Sequence, residues 1–380
     1  MEQHRPTTLL TGATGFLGQF ILRDLLHRKR RVVALLRAPL QDTRHRLAGL
    51  LRQLDVEVED YVKSGQLILR EGALPDDLPD GQWGPTDDIV ACAASLQLYS
   101  NGNGEPFRTN VEGTTVLIDW ARRHDVHRLH AVSTAYVCGT KSQRVMEEIH
   151  QERPPSFQTQ YEESKWIAEA ALAEWARENG NILTILRPSF LVGDSTTGYT
   201  TQFGGFYQFA RLISLMKTEC SDGSNGEISN IPHRIPGRPE DPIQNFVPVD
   251  YAARVIAEVV LNPEYHGRIY HLTDPAPPCW DDFKKWMETY FGITGGYFVD
   301  ADSGGELADK SVAESLLWEK YDLLVPRIRH HPVFDDTNAR TVREAAGVRY
   351  PSFSRERVFT FLDYAVSQRW GQKANRRHAR

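Results

Sequence analysis

Tyr161 and Lys165, in the run Tyr161-Glu162-Glu163-Ser164-Lys165, stand four residues apart. On a helix that spacing makes a phenol and an ammonium neighbours on one face. The pairing suits carbonyl reduction. A nearby ammonium favours the phenolate and draws the tyrosine below its ordinary pKa of about 10. The phenol can then hand a proton to an oxygen that becomes an alcohol as hydride reaches the carbon. Such a pair is also common on plain surface helices, so it needs company. Earlier in the chain, Ala131-Val132-Ser133-Thr134-Ala135-Tyr136-Val137 reads as a buried strand ending in two hydroxyls. The carboxyl edge of a strand is where ligands bind in open α/β sheets. A hydroxyl there can hydrogen-bond a carbonyl oxygen and stabilise developing negative charge.

Nearer the start lies Thr11-Gly12-Ala13-Thr14-Gly15-Phe16-Leu17-Gly18, directly after the apolar Thr8-Leu9-Leu10. Gly12 permits a tight turn, Gly15 lets backbone approach a pyrophosphate, and Gly18 allows close helix–sheet packing. A helix opening here offers free N–H groups to an anion, so Thr14, Phe16 and Leu17 join the three glycines as cofactor-binding candidates. The next apolar run, Val32 to Leu36, ends at Arg37. A sheet that prefers NAD usually places an acid at this point; an arginine instead can stack on adenine and pair with a 2′-phosphate. NADPH is therefore expected over NADH, with Arg44 and Arg46 as further candidates for the phosphate.

These groups need a frame. Strands are expected at Gln66–Leu69, Asp88–Cys92, Leu129–Ser133 and Asn181–Leu186. Helices are expected at Phe16 to Arg30, Gly113–His124 and Tyr161–Glu178. Continuous apolar strands separated by amphipathic helices imply a parallel sheet covered on both faces. Past Arg187-Pro188, residues 194–245 are rich in Gly, Ser, Thr, Asn and Pro and read as loops around one helix near Phe206–Met216. A strand at Phe246–Val249, a helix at Tyr251–Leu261 and a strand at Arg268–Leu272 follow, and the remainder reads mainly as helix. The expected fold is α/β: a Rossmann-type doubly wound parallel sheet with a smaller, loop-rich and mainly helical C-terminal substrate region. The divisions expected are 1–193 for cofactor and catalysis, 194–368 for substrate, and a basic tail at 369–380, with part of 246–275 returning to the sheet.

Composition narrows the function. The chain has 380 residues, 41% hydrophobic and 25% charged, which excludes a disordered or fibrous chain. Its 44 Lys+Arg against 50 Asp+Glu give a net charge of -6, so there is no bulk attraction to nucleic acid. The basic cluster His27 to Arg31 reads as a helix end, where cations face free carbonyls. No apolar run approaches the roughly 18 residues of a membrane span. No secretory signal is evident either, and the cytoplasm is the expected compartment. Four scattered cysteines, Cys92, Cys138, Cys220 and Cys279, form no pair with metal or disulfide spacing, so no metal is expected.

Taken together, the runs TGATGFLG, LLRA, VSTAYV, YEESKW with Ala168-Glu169, and ILRPSFLVGDSTTG resemble the extended short-chain dehydrogenase/reductases along nearly the whole chain. Within that superfamily the chain is most similar to the thioester reductase and male-sterility-like acyl reductase group. Asn245-Phe246-Val247-Pro248-Val249-Asp250-Tyr251 and Tyr270-His271-Leu272-Thr273 match that group's later signposts. The resemblance implies that Thr134, Tyr161 and Lys165 form the catalytic triad, supported by Ser133. It further implies that Lys165 holds the nicotinamide ribose, that Pro188 lies beside the nicotinamide, and that Ala93 borders the cofactor. Departures mark a divergent subgroup. Gly72-Ala73-Leu74 replaces the usual Gly-Asp-Leu, Ala91-Cys92 stands where the group has His-Asn, and Cys138 stands where many extended members have tyrosine. Asn110, in Asn110-Val111-Glu112-Gly113-Thr114, reads as structural. Gly193-Asp194-Ser195 looks like a phosphopantetheine attachment serine, but the reductase pattern already accounts for that loop.

The leading expectation is NADPH-dependent reduction of an acyl thioester, on a carrier protein or coenzyme A, to an aldehyde or alcohol in secondary or lipid metabolism. The alternative is a reductase or dehydrogenase of a free ketone, aldehyde or alcohol using the same residues. A nucleotide-sugar epimerase or dehydratase usually prefers NAD, which Arg37 disfavours. A non-enzymatic cofactor sensor or scaffold normally loses Tyr or Lys from the pair. No adenylation or carrier module is recognisable, so a carrier protein is expected as a separate chain, with the reductase a monomer or homodimer.

Overall fold

Seven short apolar runs pair side by side as parallel strands in the computed structural model, which describes residues 5–76, 78–140, 144–147, 152–178, 180–220, 228–299, 310–318 and 332–372. They are β1 (Thr7–Thr11), β2 (Arg31–Leu36), β3 (Leu67–Glu71), β4 (Asp88–Ala91), β5 (Arg128–Val132), β6 (Ile182–Pro188) and, tenth in chain order, β10 (Ile269–Leu272). Their order across the sheet is β10-β6-β5-β4-β1-β2-β3. Every neighbouring pair is parallel. Parallel strands need crossovers, and the helices supply them: α1 (Phe16–His27) packs on α7 (Val249–Leu261), and α4 (Gly113–Arg123) on α5 (Gln160–Trp175). This is the expected Rossmann-type doubly wound sheet. Two helices, α2 (Leu40–Arg52) and α3 (Val58–Lys63), occupy a stretch where the sequence reading named no element.

The chain divides into two compact units. The first comprises 1–189, 249–273 and 332–350; the second comprises 190–248, 274–331 and 351–380. The first unit includes β10 and the helix Thr337–Ala345. Part of the tail predicted at 369–380 lies outside the described residues.

The basic cluster after α1 is consumed inside the first unit. Arg28 pairs with Glu258 on α7, and Arg30 pairs with Asp88 while its Nε donates to Thr8 Oγ1 at 2.8 Å. Arg31 donates to the Trp83 carbonyl at 3.0 Å. These cations fasten α1 and β2 to their neighbours.

Three histidines, two of them buried, set the acid limit of this unit. His130 on β5 is fully buried, packs edge-on against His266 at 4.5 Å, and is held well below its ordinary pKa by burial. Partial burial also lowers His266. Burial, helped by the nearby Arg187 guanidinium, pushes His271 on β10 from 6.5 down to about 4. In the unfolded chain each titrates near 6.5. Protons therefore bind the unfolded state first as pH falls, and stability present above pH 6.5 is lost towards pH 4. For His271 alone this amounts to about 3 kcal/mol. Burial raises Glu147 to about 8 and Asp88 to about 6, which favours the fold as pH falls, so the histidine contribution is read as a difference. Between pH 6 and pH 4.5 urea unfolding should show the wild type losing about 1.4 kcal/mol per pH unit relative to His271→Gln. No pH dependence in that difference would mean that the His271 ring is protonated in the fold.

The second unit is built on aromatic packing. Phe206 of α6 (Phe206–Cys220) contacts Phe246, Phe283, Phe353 and Phe361. Two small parallel pairs brace it: β7 (Phe190–Val192) with β9 (Phe246–Pro248), and β8 (Ser229–Pro236) with β11 (Ile293–Val299). Helices α8 (Trp280–Phe291), α9 (Val312–Trp318) and Arg355–Ser367 complete it. Among the described residues no helix is long and apolar enough to cross a membrane.

Candidate active site

Because all seven strands point one way, their carboxyl ends share one edge of the sheet. Along that edge stand, in order, Pro188 ending β6, Ser133 and Thr134 after β5, Cys92 and Ala93 after β4, Gly12 after β1, and Arg37 after β2. β1 and β4 are neighbours from which the chain departs in opposite directions, the switch point at which open α/β sheets bind ligands. From Ser133 to Arg37 is three strand spacings, roughly 14 Å at about 4.8 Å each.

The turn at the switch point leaves no room for side chains. Gly12 has φ +75°, and a Cβ there would lie 2.7 Å from the Ala93 nitrogen. A Cβ on Gly18 would lie 2.0 Å from the Gly12 carbonyl oxygen. Thr11 Oγ1 accepts from the amides of Cys92 and Ala93 at 3.1 and 3.0 Å, fixing one loop against the other. Helix α1 then begins with exposed Gly15 at its N-cap, no capping side chain and no acid in its first turn. Its first N–H groups, with Thr14, Phe16 and Leu17 around them, lack the usual side-chain acceptor and suit an anion. The cradle fits a dinucleotide pyrophosphate.

Of the three arginines considered for a 2′-phosphate, the structure separates two. Arg44 forks onto Glu59 at the surface. The exposed Arg37 guanidinium has no hydrogen bond or ion pair among the described residues, although its carbonyl accepts from Thr43 at 2.7 Å.

The Tyr/Lys helix is firmly set. Thr159 caps α5 by accepting from the Glu162 amide at 3.3 Å, and the Glu162 carboxylate accepts from the Gln158 amide at 2.9 Å. This reciprocal capping starts the helix one residue before Tyr161. The Tyr161 amide donates to the Leu98 carbonyl at 3.3 Å, and the Tyr161 side chain is half-buried. One turn on, Lys165 is 8% exposed, and its Nζ donates to the Val132 carbonyl at 2.7 Å. The ammonium is thereby held beside the end of β5, next to the two hydroxyls. Burial lowers the Lys165 pKa.

Ser133 Oγ is buried with no hydrogen-bond partner among the described residues, while the Ser133 amide donates to the Leu186 carbonyl at 2.7 Å. Thr134 Oγ1 accepts from the Tyr136 amide at 3.3 Å, which leaves its own proton to donate. A buried hydroxyl without a partner is uncommon in a native interior. Here it marks a place where a ligand oxygen can be received.

Asn110 is buried as a clamp: its Oδ1 accepts from the Ser95 amide at 2.8 Å, and its Nδ2 donates to Ser164 Oγ at 2.9 Å. It ties the loop after β4 to the residue preceding Lys165, in keeping with a structural reading. Cys92, standing where the resemblance expects Asn, is pushed up to about 12 by burial and stays a neutral thiol. A feature the sequence reading passed over lies one turn beyond Lys165. Glu169 and Arg187 form a buried two-pronged pair, at 3.0 and 2.6 Å, that joins α5 to β6. The helix-spaced Lys165-x-x-x-Glu169 was the available signal. Downstream, Asp194 Oδ1 accepts from the Thr196 and Thr197 amides at 3.0 and 2.8 Å, so Gly193-Asp194-Ser195 belongs to a self-bonded turn.

A family model for an NAD-binding domain, described as male sterility protein, matches residues 10–256. A linear gramicidin synthase polypeptide of Brevibacillus parabrevis is 29% identical over 74% of the chain, which spans 5% of that protein's length. The L-2-aminoadipate reductase large subunit of Penicillium chrysogenum is 27% identical over 91% of the chain, which spans 26% of its length. Among solved structures, the terminal R domain from the myxalamid PKS-NRPS pathway superposes with a TM-score of 0.77. It is 24% identical, with 97% of this chain and 92% of that domain covered. That likeness shows the fold.

Proposed function

The chain belongs to the male sterility protein family of NAD-binding domains, and from that membership and the sheet edge described above we propose that it is an NADPH-dependent reductase of acyl thioesters. A nicotinamide dinucleotide bound along the edge supplies hydride. Lys165 holds the nicotinamide ribose and favours the Tyr161 phenolate, while Gly12, Thr14, Gly15, Phe16, Leu17, Gly18 and Ala93 cradle the pyrophosphate end, and Pro188 borders the nicotinamide. Thr134 and Ser133 donate hydrogen bonds to the thioester oxygen, which becomes an oxyanion as the carbon is reduced. Tyr161 supplies the proton to that oxygen. As the C–S bond breaks the new hydroxyl gives up its proton and the departing sulfur takes one, so a thiol leaves and an aldehyde remains; a second hydride from a second NADPH and a proton from Tyr161 would yield the alcohol.

The observation that carries this reading is the partnerless Ser133 hydroxyl beside the Val132 carbonyl that holds Lys165 Nζ. Support for a thioester comes from the relatives, whose names are those of a linear gramicidin synthase and an aminoadipate reductase. A carrier protein bearing a pantetheine arm is the partner proposed. NADPH oxidation with an acyl-coenzyme A panel, run beside the matching aldehydes with products identified by mass, tests the reading. Thiol release with aldehyde or alcohol formation is expected. Turnover of aldehydes alone would overturn the thioester part and leave a free-carbonyl reductase.

The NADPH preference rests on Arg37. A charge-assisted hydrogen bond is worth about 1.5–3 kcal/mol, so Arg37→Ser should weaken NADPH binding about 10- to 100-fold and leave NADH nearly unchanged. Cofactor fluorescence titration at two salt concentrations checks this. Equal losses for both cofactors would remove Arg37 from the 2′-phosphate site.

A further inference from the structure

The turn that carries Thr134 leans on two segments distant from it in the chain, all of them inside the first unit. Thr134 caps a single 3₁₀ turn, Ala135–Cys138, by accepting from the Tyr136 amide at 3.3 Å. Ala135 and Cys138 are fully buried in a small apolar cluster completed by Val145 and Phe334. Tyr136 meets the Phe334 ring edge-on, at 5.6 Å and 83°. One residue thus joins the two: the Tyr136 amide lies on the Thr134 hydroxyl oxygen and the Tyr136 ring lies on Phe334.

A clasp brings Phe334 to this place. The Val145 amide donates to the Val333 carbonyl and the Asp335 amide to the Val145 carbonyl, both at 2.9 Å, as a parallel bridge between opposite halves of the chain. Two residues on, the buried Glu147 carboxylate closes it. Its Oε2 accepts from the Asn338 amide, and its Oε1 accepts from the Ala339 amide at 3.3 Å and the His271 amide at 2.6 Å. Asn338 Nδ2 adds a bond to the Ile269 carbonyl at 2.9 Å, and His271 Nδ1 lies 2.8 Å from the Asp335 carbonyl. Phe334 is therefore pinned to β10 on one side and to the Thr134 turn on the other.

We infer that Phe334 is a positioning residue for the Thr134 hydroxyl, acting through the ring and amide of Tyr136, and that Glu147 holds Phe334 in register. A hydroxyl proton rotates freely, so its direction is defined only while the oxygen is fixed by what it accepts. A displacement of about 1 Å at such a group can cost about 10² in rate. The inference rests on the role given to Thr134 above and adds the residues that set its geometry.

A double-mutant cycle on the whole chain tests it. Phe334→Leu keeps an apolar filling and removes the ring edge from Tyr136. It should lower kcat about tenfold, a share of the 10²–10³ that one oxyanion donor is worth, and change the NADPH Kd by less than about twofold. Thr134→Val removes the hydroxyl and should cost about 10²–10³ in kcat. In that background Phe334→Leu should cost nothing more, because no hydroxyl is left to position; a packing role would give the same tenfold loss in both backgrounds. Glu147→Gln turns an amide N–H2 towards at least one of the three N–H groups and should reproduce the Phe334→Leu pattern. Hydrogen exchange over residues 134–138 should quicken about tenfold in Phe334→Leu and Glu147→Gln, while exchange over β5 stays as in the wild type. The cycle is run on whichever of thioester and aldehyde turns over, so failure of the thioester reading leaves it intact; if neither turns over, the exchange result decides. Unchanged turnover in Thr134→Val would remove Thr134 from catalysis and this inference with it. A full Thr134→Val loss with an additive or absent Phe334→Leu effect, or unchanged exchange over 134–138, would overturn the inference alone.

Discussion

Tyr161→Phe should lower kcat by about 10²–10⁴, the worth of a positioned general acid, while NADPH binds as before. The substitution removes one oxygen and keeps the ring. Three supports of α5 are made by other atoms and remain: the Thr159 cap, the Glu162 carboxylate on the Gln158 amide, and the Tyr161 amide on the Leu98 carbonyl. Lys165 stays held by the Val132 carbonyl. The fall therefore belongs to the proton and not to a displaced helix. Hydride can still reach the carbon in the variant, but the oxyanion must then take its proton from water. Turnover should consequently recover in part as pH falls, because acid in solution replaces the phenol. Stopped-flow NADPH oxidation in single-turnover mode, with the cofactor Kd measured separately, isolates the step. Unchanged turnover would remove Tyr161 from catalysis and with it the chemistry proposed for the edge.

Much of this edge was legible in the sequence because its signals are local. A glycine turn between an apolar strand and an amphipathic helix has few structural solutions, and Gly12 at φ +75° with Ala93 against it is the one adopted. Ser133-Thr134 and Tyr161/Lys165 were readable for the same reason: each lies within one element whose period is plain. What was not legible depends on pairings between distant positions. Residues 332–350 return to the first unit because the Glu147 carboxylate accepts the Ala339 amide at 3.3 Å, the Asn338 amide, and the His271 amide at 2.6 Å. No local pattern at Glu147 announces that. The parallel β8–β11 pair joins segments whose glycines, prolines and polar residues mask any strand period. Asn110 looked like a helix-start residue, and its sequence could not show that its side chain would reach Ser164.

The same limit hid the contact whose loss should cost the fold most. Glu169→Ala would leave the Arg187 guanidinium, 1% exposed, buried with His271 Nε2 at 3.4 Å as its remaining side-chain partner among the described residues. Removing one partner of a buried pair costs about 3–5 kcal/mol, because the other charge stays desolvated without compensation. Urea unfolding should therefore show a loss of that size for Glu169→Ala. Glu169→Leu combined with Arg187→Met should recover most of it, since neither charge is then buried. The pair also reaches the chemistry, because Glu169 lies one helical turn from Lys165 and fastens α5 to β6, whose end carries Pro188. A second readout separates an electrostatic role from simple packing. The Arg187 charge helps hold His271 down at about 4. Glu169→Ala removes a charge that raises His271 and keeps the burial and the Arg187 charge that lower it, so His271 should stay at or below about 4 and the loss of stability between pH 6.5 and pH 4 should persist in that variant. A loss below about 1 kcal/mol for Glu169→Ala, the range of an exposed pair, would mean that water reaches the site and that the helix is anchored by its caps alone.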